Sequence, residues 1–176
     1  MIIHIQSSLH EARDALHSLI ADQAALERIA QAARLLLSAF GSGNRVFSCG
    51  NGGSMSDAIH FAEELSGRYR LDRKGLPAMA ISAMGHLTCV ANDFGYDHVF
   101  ARFLEAQGRA DDVLLAISTS GKSANVLKAA EAACGLGMQI IALTGSRIRP
   151  LAGSRTPTSA RLAAPLPTAC RSCTSR

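Results

Sequence analysis

From residue 45 onward, short apolar runs alternate with longer helical stretches. The runs at 45–49, 77–82, 112–118 and 139–144 have about 5 to 7 residues and are bounded by Gly, Pro and Asp, as strands commonly are. Helical patterns lie between them, at about 53–66, 87–107 and 122–135. Strands that alternate with helices form a parallel sheet covered on both faces, so the sequence predicts an α/β fold.

A helical region precedes the alternating part. No Gly or Pro occurs between about residues 7 and 40, and apolar residues recur at helical spacing. The pattern predicts one long helix or a helical pair. Asp22 is suited to cap a second helix, because its carboxylate accepts from free N–H groups at a helix start.

Composition indicates one soluble domain. The 176 residues are 48% hydrophobic, but no run approaches the roughly 20 apolar residues that span a bilayer. The start, Met1-Ile2-Ile3-His4, lacks the positive charge of a secretory signal. Cys49, Cys89 and Cys134 fall in apolar patterns and are predicted to be buried free thiols, so we expect a cytoplasmic protein and no membrane association.

The formal charge of +4 is unevenly distributed along the chain. Residues 146–176 contain six arginines and no acid, whereas the rest has 12 basic and 14 acidic residues. The body is therefore mildly acidic, and no basic stripe interleaved with aromatics supports nucleic-acid binding.

Two loops follow predicted strands and open helices. The first, Cys49-Gly-Asn-Gly-Gly-Ser54, is rich in glycine, which lets backbone N–H groups approach an anion closely. The second, Ser118-Thr-Ser-Gly-Lys-Ser123, is rich in hydroxyls that either bind phosphate or simply cap the helix. Both lie at the carboxyl ends of strands, where parallel sheets bind ligands, and this favours a phosphate site.

Neither loop fits a standard nucleotide motif. The stretch 116–123 begins with Ala116 where a phosphate-binding P-loop needs Gly, and no later strand ends in an acidic residue for magnesium. In the first loop, Met55 stands where a dinucleotide fingerprint needs Gly or Ala. A nucleotide triphosphatase and a Rossmann dehydrogenase are both disfavoured.

Two polar pairs are candidates for chemistry. His60 and Glu64 are four residues apart on a predicted helix, so they share a face. Such a pair is often only a surface contact, but this helix starts at a predicted phosphate loop. Asn92 and Asp93 interrupt an apolar helical run, either as a helix break or as contacts to a polyhydroxylated ligand.

Taken together, these motifs resemble the phosphoheptose isomerase family of the sugar isomerase (SIS) domain. The similarity extends from about Ser7 to Gly145 and includes His60-Phe-Ala-Glu-Glu-Leu-Ser-Gly-Arg-Tyr-Arg70 and Ala91-Asn-Asp-Phe-Gly95. It implies a SIS-type doubly wound parallel sheet, a flavodoxin-like three-layer arrangement preceded by long N-terminal helices. The alternative is a non-catalytic SIS module that binds a phosphosugar or a regulatory protein, but the His60 to Arg70 run matches the isomerase branch.

The resemblance implies conversion of sedoheptulose 7-phosphate to D-glycero-D-manno-heptose 7-phosphate, a precursor of lipopolysaccharide heptose, by a cytoplasmic homotetramer. It implies that His60 and Glu64 ligate one zinc ion per subunit. It also implies that Glu64 contacts the substrate and is the catalytic base. The other implied substrate contacts are Asn51, Gly52, Gly53, Asn92, Asp93, Ser118, Thr119, Ser120 and Ser123.

The chain departs from the family after Gly145. The family continues with a strand and a long helix that carries a Gln and a His, whereas this chain has no His after His98 and no Gln after Gln139. Residues 146–176 show no helical or strand period and are predicted to form an atypical, disordered tail. We interpret this tail as the product of an out-of-frame or otherwise altered ending; the alternative is a functional basic segment. Without the Gln and His, we expect an incomplete zinc site and an isomerisation rate near background.

Overall fold

The computed structural model describes residues 1–145 and, as a short strand, residues 161–163. The chain starts with two helices, α1 (Ile2–Ala21) and α2 (Gln23–Gly41). The Asp22 carboxylate between them accepts a hydrogen bond from the backbone N–H of Ala25 at 3.0 Å. The helical pair and its predicted cap are both confirmed.

Strands and helices then alternate as the sequence predicts. In chain order they are β1 (Val46–Cys49), α3 (Gly53–Ser66), β2 (Ala78–Ala80), α4 (Met84–Phe94), α5 (Ala101–Gln107), β3 (Val113–Ser118), α6 (Ala124–Gly135), β4 (Gln139–Thr144) and β5 (Arg161–Ala163).

The strands form one sheet in the order β2-β1-β3-β4-β5. β1, β2, β3 and β4 are mutually parallel, in the order typical of flavodoxin-like folds. The chain adds β2 on one side of β1 and β3 on the other, so the carboxyl ends of β1 and β3 flank the point where the strand order reverses. Ligands bind at this point in open α/β sheets.

The sheet separates two apolar cores. Phe47 and Leu114 face a core shared with α4, α5 and α6, whereas Val46 and Val113 face one shared with α2 and α3. Adjacent strand residues point to opposite faces, so helices on both sides bury every residue of β1 and β3. The predicted doubly wound, three-layer α/β fold is confirmed.

The structure differs from the sequence prediction in two elements. The single helix predicted over 87–107 is divided into α4, a 3-10 helix (Tyr96–His98) and α5, because Gly95 adopts a φ of 84° that ends α4. Strand β5 pairs antiparallel with β4 and lies in a segment for which no strand was predicted. Most of the predicted disordered tail, 146–160 and 164–176, lies outside the described residues.

The cysteine prediction is confirmed for Cys49 alone. Cys49 is a buried free thiol on β1, whereas Cys89 is a free thiol exposed on α4 and Cys134 is disulfide-bonded. Apolar neighbours in sequence did not indicate burial at Cys89, since its side chain lies on the outer surface of its helix. Within the part of the chain that the structure describes, no helix is long and apolar enough to cross a membrane.

Asp112 anchors the amino end of β3. Its side chain is 3% exposed and accepts hydrogen bonds from the Arg45 backbone N–H at 2.8 Å, the Arg45 guanidinium at 2.8 Å and the Arg109 backbone N–H at 3.1 Å. Since Asp112→Ala leaves these donors without their acceptor, we expect the free energy of unfolding in urea to fall by about 3–5 kcal/mol. Glu105→Ala, which breaks an exposed pair with Arg102, should cost less than about 1 kcal/mol. Equal losses in the two variants would contradict this role for Asp112.

Candidate functional site

The glycine-rich turn leads directly from β1 into α3. A Cβ atom at Gly50 would lie 2.6 Å from the backbone oxygen of Ser54, so only glycine allows the turn to close this tightly. Gly52 has a φ of 55°, in the left-handed region that favours glycine, and it is the N-cap of α3. The turn therefore requires glycine for its shape, and its backbone lies close to any ligand at the start of α3.

The second loop joins β3 to α6 and is held by its own hydroxyls. The Ser118 and Ser123 Oγ atoms are 3.0 Å apart, and Ser118 Oγ accepts from the Gly121 N–H at 3.2 Å. Ser120 Oγ accepts from the Lys122 N–H at 3.1 Å. Thr119 and Ser120 are exposed, so the loop presents hydroxyls to solvent while its own hydrogen bonds hold its conformation.

Neither N-cap residue at the site caps its helix with its own side chain. Gly52 at the start of α3 and Ser123 at the start of α6 make no side-chain cap hydrogen bond, as is also true of the N-cap residues of α1, α4 and α5. The reading of the second loop as ordinary helix capping is therefore not supported at Ser123. In the first turns, the N–H groups of Ser54 and Met55 donate to backbone carbonyls and that of Val126 donates to Asn125 Oδ1. The remaining first-turn N–H groups and the partial positive charge of the two helix starts suit a phosphate.

Side-chain hydrogen bonds connect the glycine-rich turn to the first turn of α6. The Asn51 and Asn125 carboxamides bond reciprocally, each Nδ2 donating to the other's Oδ1 at 2.8 Å. The Tyr96 hydroxyl also donates to Asn51 Oδ1, at 3.1 Å. Sequence reasoning missed Asn125 and Tyr96, because both contacts join residues 45 or more positions apart; a polar Asn in the first turn of α6 was the only available signal.

His60 and Glu64 lie on one face of α3 as predicted. His60 Nε2 is 3.2 Å from Glu64 Oε1, and their side chains are 68% and 36% exposed. Two ligands of a tetrahedral zinc ion lie about 3.3 Å apart, so the pair matches one edge of such a site. Catalytic zinc usually has three protein ligands, and residues 1–145 contain no metal-binding group of three His, Cys, Asp or Glu. The described residues thus fit zinc only in part.

Asn92 and Asp93 lie on the exposed last turn of α4. Asn92 Nδ2 donates to Asp93 Oδ1 at 2.8 Å, and Cys89 Sγ lies 3.6 Å from Asp93 Oδ2. The segment that follows them carries Tyr96, which contacts Asn51. The end of α4 therefore leads the chain back to the glycine-rich turn, but the described hydrogen bonds of Asn92 and Asp93 are to neighbours on their own helix.

Cys49, immediately before the glycine-rich turn, is not suited to nucleophilic chemistry. Burial raises the pKa of its thiol to about 12. A thiol with that pKa remains protonated near neutral pH, and the thiolate is the reactive form. On α3, the helix that starts at this turn, the carboxylate of Glu64 and the imidazole of His60 are the candidates for moving protons.

Known proteins share this arrangement. A family model described as the SIS domain matches residues 9–145. Phosphoheptose isomerases from Serratia proteamaculans and Yersinia pestis are 57% and 56% identical to the chain over 150 residues, which cover 85% of the chain and 78% of each relative.

Solved structures agree with these relatives. A phosphoheptose isomerase from Francisella tularensis superposes with a TM-score of 0.78 at 37% identity, covering 83% of this chain and 76% of that one. The phosphoheptose isomerase from Neisseria gonorrhoeae gives 0.70 at 41% identity, covering 83% and 73%. The chain therefore belongs to the phosphoheptose isomerase family of SIS domain proteins.

Proposed function

We propose that the chain is an aldose–ketose isomerase that interconverts sedoheptulose 7-phosphate and D-glycero-D-manno-heptose 7-phosphate. The observation that carries the proposal is that the Asn51–Asn125 pair joins the start of α3, the helix that bears Glu64, to the start of α6 at the switch point of the sheet. Relatives that are 56–57% identical over most of the chain bear the name of this activity.

The two loops supply the binding half of the reaction. Backbone N–H groups at the starts of α3 and α6 and the hydroxyls of Ser118, Thr119, Ser120 and Ser123 are the donors proposed to hold the phosphate. Asn51, Gly52 and Gly53 form the facing wall, and Asn92 and Asp93 are proposed to contact sugar hydroxyls. A substrate fixed at its phosphate presents its carbonyl end to a constant position, which lowers the entropy cost of the reaction.

Glu64 supplies the base. Conversion of a ketose to an aldose begins with removal of a proton from C1, next to the C2 carbonyl, and gives an enediol that is reprotonated at C2. Glu64 accepts the C1 proton, exchanges it with water through its partly exposed carboxylate and delivers a proton to C2, and His60 at 3.2 Å orients the carboxylate. The oxyanion that develops on O2 also gains a proton, and the O1 hydroxyl loses one as the C1 carbonyl forms; water exchanges both, since no side chain is assigned to this transfer.

Zinc is proposed only as a partial fit. His60 and Glu64 are the residues that would hold it, and a bound ion would polarise the substrate carbonyl as a Lewis acid. Because the described residues offer two ligands, no step of the reaction is assigned to the metal. The expectation that turnover is near background, drawn from the missing Gln and His, stays a prediction, as do the lipopolysaccharide pathway and the cytoplasmic location.

Calorimetric titration of sedoheptulose 7-phosphate into the purified chain, followed by a coupled isomerase assay, tests the proposal. The assay should be repeated on a version whose residues after Gly145 are replaced by those of the Serratia proteamaculans relative. Binding by both proteins and faster turnover by the second support the proposal together with the expected impairment. Binding without turnover in either protein would instead support the non-catalytic SIS module.

We also propose that the chain is a homo-oligomer, in agreement with the tetramer implied by the resemblance. Within the described helix α1, no residue is buried, and apolar side chains such as Ile5, Leu9, Leu16 and Ile20 are 54–63% exposed. An apolar face of this size is unfavourable in water unless another surface covers it. Light scattering should give a molar mass near four chains, and Leu9→Glu together with Leu16→Glu should lower it; the mass of a single chain for the unmodified protein would contradict the proposal.

A further inference from the structure

Asn125 is buried beneath the second loop and belongs to none of the motifs that define the site. It is 3% exposed and lies in the first turn of α6. Its Oδ1 accepts from the Asn51 Nδ2 at 2.8 Å and from its neighbour's backbone, the Val126 N–H, at 3.0 Å. Burial of a carboxamide is favourable only when its polar atoms are bonded, and here the bonds reach across the site to the glycine-rich turn.

The backbone fixes which way both carboxamides point. The oxygen and nitrogen of an amide side chain are distinguished only by their partners, and the Val126 N–H can only donate. The Asn125 atom that faces it must therefore be the oxygen. That oxygen requires the nitrogen of Asn51 opposite it, which in turn places Asn51 Oδ1 against the Asn125 Nδ2.

The acceptor capacity of Asn51 is thereby exhausted. Its Oδ1 has two lone pairs and accepts from Asn125 Nδ2 and from the Tyr96 hydroxyl. Its Nδ2 donates one hydrogen to Asn125 Oδ1, and the second hydrogen is available to a ligand. Asn51 therefore offers a ligand a single N–H donor in a fixed direction, and its side chain selects an acceptor oxygen.

We propose that Asn125 is a positioning residue that clamps the glycine-rich turn to the start of α6, directly after the second loop, and fixes the Asn51 carboxamide as a pure donor to a phosphosugar oxygen. The inference rests on the proposed function for the identity of the ligand, but the clamp itself is a property of the free chain. Without Asn125, the turn loses these two side-chain hydrogen bonds to α6, and only the Tyr96 hydroxyl still orients the carboxamide of Asn51 among the described contacts.

Two measurements on the full chain test the clamp: the Kd for sedoheptulose 7-phosphate by calorimetry, and hydrogen exchange of the backbone amides at 54–56, which donate to the carbonyls of Asn51 and Gly52. In Asn125→Ala, exchange at 54–56 should accelerate by about tenfold or more, since the turn that carries these carbonyls loses two hydrogen bonds, and the Kd should rise by about tenfold. Asn125→Asp keeps the size of the side chain and its bond to the Val126 N–H but places an oxygen against Asn51 Oδ1. It should shift both quantities in the same direction, and it remains informative if Asn125→Ala fails to fold.

Val113→Ala is the matched control, because it truncates a fully buried side chain at the opposite end of the sheet. It should lower the melting temperature while leaving exchange at 54–56 and the Kd near their wild-type values. The clamp is overturned if either the exchange rates or the affinity of both Asn125 variants are no different from those of Val113→Ala. If the unmodified chain binds no phosphosugar, the proposed function fails, and the exchange comparison alone still decides the role of Asn125.

Discussion

Glu64→Gln is expected to reduce proton removal from the substrate by about 10²–10⁴-fold, because the carboxamide cannot accept a proton. The readout is deuterium incorporation at C1 of sedoheptulose 7-phosphate in D2O, which reports this step even where completed turnover is slow. Glutamine has the same size and retains an oxygen that faces His60. We therefore expect the Kd for the phosphosugar to change less than tenfold, so that the loss appears in the rate constant.

The adjacent carboxylate provides the control for this change. Glu63 is exposed on α3 and is rotated by about 100° around the helix axis from Glu64. Glu63→Gln alters the net charge by the same amount, so any effect of overall charge appears in both variants. Similar exchange rates in Glu63→Gln and Glu64→Gln would show that Glu64 is not the base.

Gly50→Ala is expected to distort the glycine-rich turn and the proposed phosphate site beside it. The added Cβ would lie 2.6–2.7 Å from the Ser54 backbone oxygen and carbon, and backbone atoms at the start of α3 move only with the helix. We expect the free energy of unfolding to fall by about 1–3 kcal/mol, as in other overpacked sites. The affinity for phosphosugar should fall by more than about tenfold, because displacing α3 misaligns both the phosphate donors and Glu64.

Gly85→Ala separates this steric effect from the general consequence of replacing glycine. A Cβ at Gly85 meets nothing within 4 Å, and the residue lies in the first turn of α4. Alanine there should leave stability unchanged or raise it by up to about 1 kcal/mol, since alanine favours the helix. The steric account is wrong if Gly50→Ala retains wild-type affinity and stability in calorimetric and urea titrations.

Local periodicity was sufficient to predict the architecture. The four apolar runs became the four parallel strands. The absence of Gly and Pro before residue 40 predicted one long helix or a helical pair, and the structure has the pair, with Asp22 as the cap of the second helix. These features depend on residues close in sequence, where strand and helix periods are readable. The break at Gly95 was harder to place, because a single glycine inside a helical pattern is also compatible with a continuous helix.

The site was predicted where its residues are consecutive and missed where they are not. The two loops and the His60–Glu64 pair follow from motifs within single segments. Asn125 and Tyr96 reach Asn51 only because β1 and β3 are neighbours in the folded sheet, so no short pattern in the sequence indicates these bonds. Strand β5 is likewise defined by its partner β4 rather than by a pattern of its own.

The central claim is that Glu64 removes a proton from a phosphosugar held by the two loops. Proton NMR of sedoheptulose 7-phosphate in D2O, with the unmodified chain at catalytic concentration, tests it most directly. The account predicts that the C1 proton signals decay at a rate proportional to the concentration of the chain, and that excess inorganic phosphate slows the decay. C1 signals that persist as in buffer alone, under conditions where calorimetry shows the sugar bound, would contradict it.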